Sequence, residues 1–457
     1  MKKVAVIAVL LVLSLLLVVV FSFLSSPSSE QEPFYVGVTY CGESVEEAKL
    51  LVDKVKDYTN VFFLQSGELQ KSPDNVTEIG DYVVSCGLQF VVYFGTDSTW
   101  LMKMWQDTYD GHWGDQFGGI YFGDEHAGKM LDGEMFVYEQ ETQSSVRKMA
   151  DGTITGYKMD ANTSVTYKQD GTVMTRPVNA PVNSSYVTTY YVNGTVTVMT
   201  EETGSVHTVE EGSVDAPYTY EELWSVRPFQ SYDETAERFI DECSFELNRY
   251  GPSDFSYFTS DYALFWFDYK SGYDTVLAQV GWNQTVAKDV ALVRGAAELQ
   301  NKTWGVIITW KYNNPPYLDS GEAIYEQMVM AYENGAQYVV IFNYAPDMQG
   351  PYGTLQEEHF VALEQFWNEV VQSSQVRHGS VKADAVLVLP ENYGWGMRHI
   401  DDKIWGLWAA DENSQQIWDL SCSLLEQYGT GLDIVYDDPQ FPVEGKYSHV
   451  YYWNQTG

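Results

Sequence analysis

The chain is poor in the residues that bind metals and nucleic acids. It has only seven histidines and four cysteines in 457 residues, and Cys41, Cys86, Cys243 and Cys422 are too widely spaced for a metal site. A Cys41–Cys86 disulfide and four separate thiols both fit this spacing. The net charge is −38, from 26 basic and 64 acidic residues, which disfavours a phosphate-binding surface. We therefore expect no metal, no cofactor and no nucleic-acid partner.

Motifs of several common enzyme classes are also missing. The sequence has no glycine-rich phosphate-binding loop, no Gly-x-Ser-x-Gly motif and no recognisable Ser/His/Asp order. Aromatic residues, in contrast, are abundant, with 14 Trp and 34 Tyr. Such rings combine an apolar face with a polar edge. They suit core packing, interfaces and surfaces that stack on sugars.

The N-terminus carries a long hydrophobic run, Val4 to Leu24, which follows Lys2 and Lys3. This run is long enough to span a bilayer, and the residues after it offer only a poor cleavage site for a secretory signal. We expect residues 1–32 to be a membrane anchor and tether, with the body of the protein outside the cell. Cleavage and secretion is the alternative. Seven glycosylation sequons support an outside location: Asn75, Asn162, Asn183, Asn193, Asn283, Asn301 and Asn454.

From residue 33 onward, strand-like and helix-like patterns alternate along the chain. Such alternation predicts βα units and a parallel sheet. Eight strands, each followed by a helix, predict a (β/α)8 barrel over residues 33–376. The predicted strands are 34–40, 61–66, 88–95, 117–124, 254–260, 273–282, 304–312 and 337–345.

Two segments depart from the barrel pattern. Residues 133–219 are polar and place Asp-Gly and Asn-Gly between alternating runs, which predicts a β-hairpin insertion after the fourth strand. Residues 383–457 predict a small C-terminal α/β unit. Its three strands are few for a doubly wound sheet, so an incomplete unit and an appendage of the barrel both fit.

The stretch FGGIYFGDEHAG, Phe117 to Gly128, ends the fourth strand in three polar residues. Barrel enzymes place catalytic groups at the carboxyl ends of their strands. Because Ile120 and Phe122 suit the outward face, alternation directs Glu125 into the barrel mouth and leaves Asp124 at its rim. We therefore predict that Glu125 is the principal catalytic carboxylate.

The same alternation surrounds Glu125 with polar side chains from the other strands, and aromatic side chains lie close by near the strand ends. Such a site suits a carbohydrate, because hydroxyl groups find hydrogen bonds and pyranose faces stack on aromatic rings. At the eighth strand the pattern does not separate Asn343 from Tyr344. The predicted substrate-binding residues are Tyr40, Gln65, Tyr93, Gln279, Trp282, Trp310, Lys311, Asn343 and Tyr344.

Glycoside hydrolysis usually needs a second carboxyl group. Asp261, at the end of the predicted fifth strand, is the first candidate for this partner, and Asp124 is the second. Lys311 near Glu125 would keep that carboxylate ionised and favour a nucleophile or base. A simple ion pair between Glu125 and Lys311 is the alternative. Two further candidates for the partner are Asp97 and Asp347.

The GGIYFGDEHAG motif, the outside location and a barrel followed by a small α/β unit resemble the (β/α)8-barrel glycoside hydrolases. The β-galactosidase-like families are similar in joining such a barrel to a flavodoxin-like domain. The resemblance implies an acid/base Glu after strand four. Glu125 matches it, with Asp124 where Asn is usual. It also implies a nucleophile Glu after strand seven, where this chain has Lys311.

The resemblance implies hydrolysis of a surface or environmental polysaccharide. The departure at Lys311 leaves a second possibility, a non-catalytic cell-surface protein that binds glycans or an envelope partner on the same scaffold. The acidity and the sequons also resemble archaeal surface proteins in style.

Overall fold

The structure of the protein is a computed structural model. The residues that it describes are 33–95, 99–139, 144–149, 151–158, 163–177, 186–193, 195–200, 206–209, 216–225, 230–248, 255–282, 285–346, 350–373 and 375–455. Residues 35–457 belong to one compact unit. No helix in the described ranges is long and apolar enough to cross a membrane, and the predicted anchor, residues 1–32, lies outside them.

The strands are numbered along the chain. They are β1 (Tyr35–Tyr40), β2 (Val61–Leu64), β3 (Gln89–Phe94), β4 (Phe117–Phe122), β5 (Met135–Glu139), β6 (Ser144–Lys148), β7 (Ile154–Lys158), β8 (Thr163–Tyr167), β9 (Val173–Pro177), β10 (Tyr186–Tyr190), β11 (Val196–Thr200), β12 (Val206–Val209), β13 (Tyr257–Asp261), β14 (Thr275–Val280), β15 (Thr303–Ile308), β16 (Tyr338–Ile341), β17 (Ala385–Leu389), β18 (Leu432–Tyr436) and β19 (His449–Tyr452).

The α-helices are Val45–Val55, Pro73–Ser85, Thr99–Thr108, His126–Leu131, Tyr220–Ser225, Tyr232–Asn248, Phe265–Lys270, Val286–Gln300, Gly321–Glu333, Glu357–Phe366 and Glu412–Tyr428. Several begin at a residue that suits an N-cap. Ser44 and Ser72, for example, each accept a hydrogen bond from a backbone amide of the first turn.

Eight parallel strands close into a barrel in the order β1-β16-β15-β14-β13-β4-β3-β2. This confirms the predicted (β/α)8 barrel, including its short fifth strand, β13. Alternate residues of the strands fill the interior, as alternation within a strand requires. The packed interior consists of Val61, Phe63, Val91, Tyr121, Phe258, Leu277, Ile307, Tyr338 and Val340.

The segment between β4 and β13 forms an eight-stranded antiparallel sheet, β5 to β12, with neighbours in chain order. This confirms the predicted hairpin insertion. Its turns use the Asp-Gly and Asn-Gly pairs of the sequence. Asp151 Oδ1 accepts from the amide of Thr153 at 2.8 Å, and Asp170 Oδ1 accepts from the amide of Thr172 at 2.8 Å. Short acidic and amide side chains stabilise tight turns in this way.

The C-terminal unit is a three-stranded parallel sheet in the order β18-β17-β19. It packs on the barrel helix Val286–Gln300, where a side chain at Gly295 would collide with Val435 and Asp433. Each of the four cysteines of the chain is a free thiol in this structure, so the possible Cys41–Cys86 disulfide is absent.

Arg294 joins the barrel to this unit through a buried guanidinium group. Its Nε donates to Asp433 Oδ1 at 2.8 Å, and the two side chains are only 1% and 2% exposed. Further hydrogen bonds go to Asn334 Oδ1 at 2.7 Å and to the carbonyls of Thr430 and Leu432 at 2.7 and 3.1 Å. Burial raises the pKa of Asp433, and Arg294 opposes that shift. The carboxylate therefore depends on the guanidinium for its charged form.

We predict that Arg294→Met lowers the free energy of unfolding by about 3–5 kcal/mol, because it leaves a buried carboxylate without its cation. Urea denaturation followed by tryptophan fluorescence measures the change. Lys49→Met is the control, since it breaks a partly exposed pair with Glu78 and should cost at most about 1 kcal/mol. Equal stability of Arg294→Met and the parent would contradict this account of the contact.

Candidate functional site

The turn after β4 ends the strand alternation. β4 stops at Phe122, and the next positions include Gly123 at φ 66° and Glu125 at φ 59° and ψ 37°. Both lie in the left-handed region, which is uncommon for residues other than glycine. A side chain at position 123 would also overlap the ring of His126, with 2.1 Å between Cβ and the nearest ring atom.

This turn corrects the expected direction of Asp124. The prediction placed Glu125 in the barrel mouth and Asp124 at the rim. In the structure both side chains line one cavity. Alternation holds only while the backbone stays extended, and the two left-handed residues bring adjacent side chains to the same opening.

The cavity lies at the carboxyl end of the barrel strands and has a volume of about 150 Å³. Its floor is polar, and much of its wall is aromatic. Its lining residues are Gln65, Asp124, Glu125, Ser260, Gln279, Trp282, Ile307, Thr309, Trp310, Phe342 and Tyr344.

A chain of hydrogen bonds connects the two carboxyl groups. Tyr121 donates its hydroxyl hydrogen to Asp124 Oδ1 at 2.7 Å. Ser260 Oγ donates to the same oxygen at 2.8 Å, Gln279 Nε2 donates to Ser260 Oγ at 2.9 Å, and Gln279 Nε2 donates to Glu125 Oε1 at 2.8 Å. These last three contacts limit the distance between Asp124 Oδ1 and Glu125 Oε1 to at most about 8.5 Å.

Burial and, second, the negative charge of Glu125 together raise the pKa of Asp124 from 3.8 to about 7. Lys129 and the hydrogen bonds from Tyr121 and Ser260 oppose the shift. Asp124 is therefore suited to hold a proton near neutral pH.

Lys129 is the cation of the site. Its Nζ lies 3.3 Å from Glu125 Oε2 and donates to the backbone carbonyl of Asp124 at 3.0 Å. Burial alone would lower the pKa of Lys129, but Asp124 and Glu125 raise it above its usual value. The ammonium group therefore stays charged and compensates the carboxylate of Glu125.

Lys129 takes the place predicted for Lys311. The predicted strand ran to residue 312, whereas β15 ends at Ile308, so Lys311 belongs to the following loop and alternation does not apply to it. Its Nζ lies 3.8 Å from Asp319, and its side chain does not line the cavity. Lys129 had a signal in the sequence, because it follows Glu125 by four residues at the start of a helix.

Asp261 is not placed as the predicted partner of Glu125. Its side chain is fully buried and does not line the cavity. Its two oxygens accept hydrogen bonds from backbone amides. Some of these amides lie at the start of the helix after Glu125, and the others lie in the residues directly after Asp261. The donors are Ala127 and Gly128 at 2.8 Å each, Tyr262 at 2.7 Å and Ala263 at 3.3 Å.

These contacts give Asp261 a positioning role. They hold the backbone directly after Glu125, whose own amide donates to the carbonyl of Ser260 at 2.8 Å. Burial raises the pKa of Asp261 to about 7, and the amide donors oppose that shift. Sequence alternation could not reveal this role, since it depends on how β13 meets the turn after β4.

Five of the predicted substrate-binding residues line the cavity. Gln279 is part of the polar floor, and Gln65, which directly follows β2, lines the same cavity. Trp310 and Tyr344 have nearly parallel rings, with an interplanar angle of 8° and centroids 6.2 Å apart. Trp282 lies 6.2 Å from Trp310 between ring centroids. These rings form the aromatic wall.

Three others were predicted to bind substrate but do not line the cavity. Tyr40 is buried and donates its hydroxyl hydrogen to the carbonyl of Ser44 at 3.0 Å. Asn343 is buried, and its Oδ1 accepts from the amide of Thr354 at 2.8 Å. Tyr93 packs edge-on against the ring of Tyr121. Asp97 and Asp347, the remaining candidates for a second carboxylate, lie outside the described residues.

Motifs and strand alternation did not single out Tyr121, whose hydroxyl contacts Asp124, or the cavity-wall residues Thr309, Ile307 and Phe342. Nor did they predict Ser260 as the link between the two carboxyl groups. Within the described ranges, no group of His, Cys, Asp and Glu side chains is arranged to hold a metal ion. The ring of His126 is buried, and burial lowers its pKa to about 4.

No family model and no curated protein matches this chain. Among solved structures, it is similar to GH5_18 from Streptomyces cattleya in complex with GlcNAc. The TM-score is 0.47 at 9% identity, covering 93% of this chain and 99% of that chain. The barrel topology agrees with the expected likeness to (β/α)8 glycoside hydrolases in fold, and an identity this low transfers no residue role.

Proposed function

We propose that this protein hydrolyses glycosidic bonds and that Asp124 and Glu125 are its reacting carboxyl groups. The supporting observation is that both line one cavity, where a chain of hydrogen bonds through Ser260 and Gln279 connects them. Glycoside hydrolysis uses two carboxyl groups in different protonation states. This site supplies that difference, because burial and Glu125 raise the pKa of Asp124 while Lys129 faces Glu125.

Asp124 acts as the general acid in this proposal. Its proton passes to the glycosidic oxygen as the bond between that oxygen and the anomeric carbon breaks. Glu125 acts on the anomeric carbon, either by direct attack or by taking a proton from an attacking water. Asp124 Oδ1 and Glu125 Oε1 are at most about 8.5 Å apart, and this limit is compatible with both the retaining and the inverting arrangement of carboxyl groups.

The remainder of the cavity suits a sugar ring. The parallel rings of Trp310 and Tyr344 offer apolar faces for a pyranose, and Gln65 and Gln279 offer amide groups to its hydroxyls. Trp310 is held in place because its Nε1 donates to the carbonyl of Tyr344 at 2.6 Å. The aromatic wall is thereby ordered before substrate binds.

We predict that Glu125→Gln and Asp124→Asn each lower kcat/KM by about 10²- to 10⁴-fold, the usual contribution of one acid or base group. Turnover of a glycan panel by the parent and the variants measures this loss. Glu357→Gln is the matched control, since the side chain of Glu357 is 78% exposed and its carboxylate pairs with Lys54. It should retain parental activity.

The results separate the two candidate functions. Parental turnover by Glu125→Gln or Asp124→Asn would remove that residue from the mechanism. Binding of a glycan by the parent without any turnover would favour the alternative, a glycan-binding surface protein on a barrel scaffold. Circular dichroism of each variant confirms that a loss of turnover does not come from unfolding.

We further propose that the protein is anchored in the cell membrane with its body outside. The hydrophobic run Val4 to Leu24 and the sequons support this location. Among the described sequons, Asn193, Asn301 and Asn454 are exposed and accessible to modification.

We predict that the protein is recovered with the membrane fraction of its source cells and is degraded when protease is added to intact cells. Release into the medium with a cleaved N-terminus would support secretion instead. Protection from protease in intact cells, together with recovery in the cytosolic fraction, would contradict both locations.

A further inference from the structure

A second opening adjoins the cavity on the loop that follows β15. Trp310 lines the first cavity, and the next residue of the chain, Lys311, lines the second. The second opening is wider, with a volume of about 500 Å³. Its lining residues are Lys311, Tyr312, Asn313, Asn314, Pro315 and Pro316.

Hydrogen bonds fix the shape of this loop. The amides of Lys311 and Tyr312 both donate to the carbonyl of Tyr317, at 2.7 and 2.9 Å, and the amide of Tyr317 donates to the carbonyl of Asn314 at 3.0 Å. The ring of Tyr317 also packs against Trp310, with centroids 5.2 Å apart. The loop is therefore tied to the aromatic wall of the first cavity.

This fixed loop presents Tyr312 to solvent, with 47% of its surface exposed. A large exposed ring beside two exposed amide side chains, Asn313 and Asn314, has the chemistry of a sugar-binding surface. The ring face can stack on a pyranose, while amide and ammonium groups hydrogen-bond to its hydroxyls. The residues that line this opening include no carboxylate, so its lining does not favour a cationic ligand over a neutral sugar.

We propose that this opening is a second sugar-binding subsite and that the substrate is an oligosaccharide or polysaccharide that occupies both openings at once. One sugar lies in the first cavity, beside Asp124 and Glu125. A further sugar of the same chain lies against Tyr312. The proposal rests on the proposed function for the first cavity and adds the requirement for chain length.

The test compares short and long substrates. Parent, Tyr312→Ala and Tyr312→Phe are assayed with chito-, cello-, xylo-, manno- and malto-oligosaccharides of two to six sugar units. We expect Tyr312→Ala to lower kcat/KM about 2- to 10-fold on long substrates, the effect of one aromatic contact, and to leave the shortest cleaved substrate unchanged. Tyr312→Phe should keep the parental values, because it retains the ring.

Tyr352→Ala is the matched control, since Tyr352 is exposed to a similar extent, 38%, and packs against Phe360 instead. It should leave both substrate classes unchanged. An equal ratio of long-chain to short-chain kcat/KM in the parent and Tyr312→Ala would overturn the second subsite and leave the hydrolase proposal intact.

Calorimetry separates failure of this proposal from failure of the proposed function. If the parent cleaves none of the oligosaccharides, the hydrolase proposal fails, and binding of the six-unit chains to parent and Tyr312→Ala still tests the subsite. Weaker binding by Tyr312→Ala supports it. Equal binding, or no binding by the parent to any of these chains, overturns it.

Discussion

Two left-handed backbone positions, at Gly123 and Glu125, determine the chemistry of this barrel mouth. An extended chain would send adjacent side chains to opposite faces. The turn instead directs Asp124 and Glu125 into one cavity. Asp261 stabilises the turn by accepting hydrogen bonds from the amides that follow Glu125. Such a conformation at a non-glycine residue persists where the surroundings fix it, and here those surroundings come from β13.

The proximity of the two carboxyl groups gives them different tasks. Burial and the neighbouring charge favour the neutral form of Asp124, and Lys129 compensates the charge of Glu125. Ser260 and Gln279 hold both oxygens in fixed positions. The site thus combines a proton donor and an anion in a cavity with aromatic walls, which is the combination that glycoside hydrolysis requires.

Much of the fold could be predicted from the sequence, because it depends on local patterns. Eight strand-and-helix alternations predicted the barrel, and Asp-Gly and Asn-Gly turns predicted the meander β5 to β12. Gln279 and Gln65 line the cavity as predicted by inward alternation, which holds through β14 and for one residue beyond β2. Trp282, Trp310 and Tyr344 were predicted because they lie near the ends of the sixth, seventh and eighth predicted strands.

The wrong predictions for the directions of Asp124 and Lys311 share one physical cause. The strands end earlier than their apolar runs suggest, at Phe122, Ile308 and Ile341. Beyond Phe122 and Ile308 alternation no longer fixes direction, so the side chains of Asp124 and Lys311 do not point where it placed them. Beyond Ile341 it does not separate Asn343 from Tyr344. Contacts between distant segments, such as Asp261 with the helix after Glu125, need the three-dimensional arrangement and leave no periodic signal.

The central claim is that Asp124 keeps a proton near neutral pH because its carboxyl group is buried and because the charge of Glu125 lies in the same cavity. Protein labelled with ¹³C-carboxyl aspartate, with the Asp124 signal assigned by its loss in Asp124→Asn, allows a direct titration by NMR. The account predicts a pKa of about 7 for Asp124 and a lower value in Glu125→Gln, where the neighbouring charge is removed. A pKa near the ordinary 3.8, unchanged in Glu125→Gln, would contradict it.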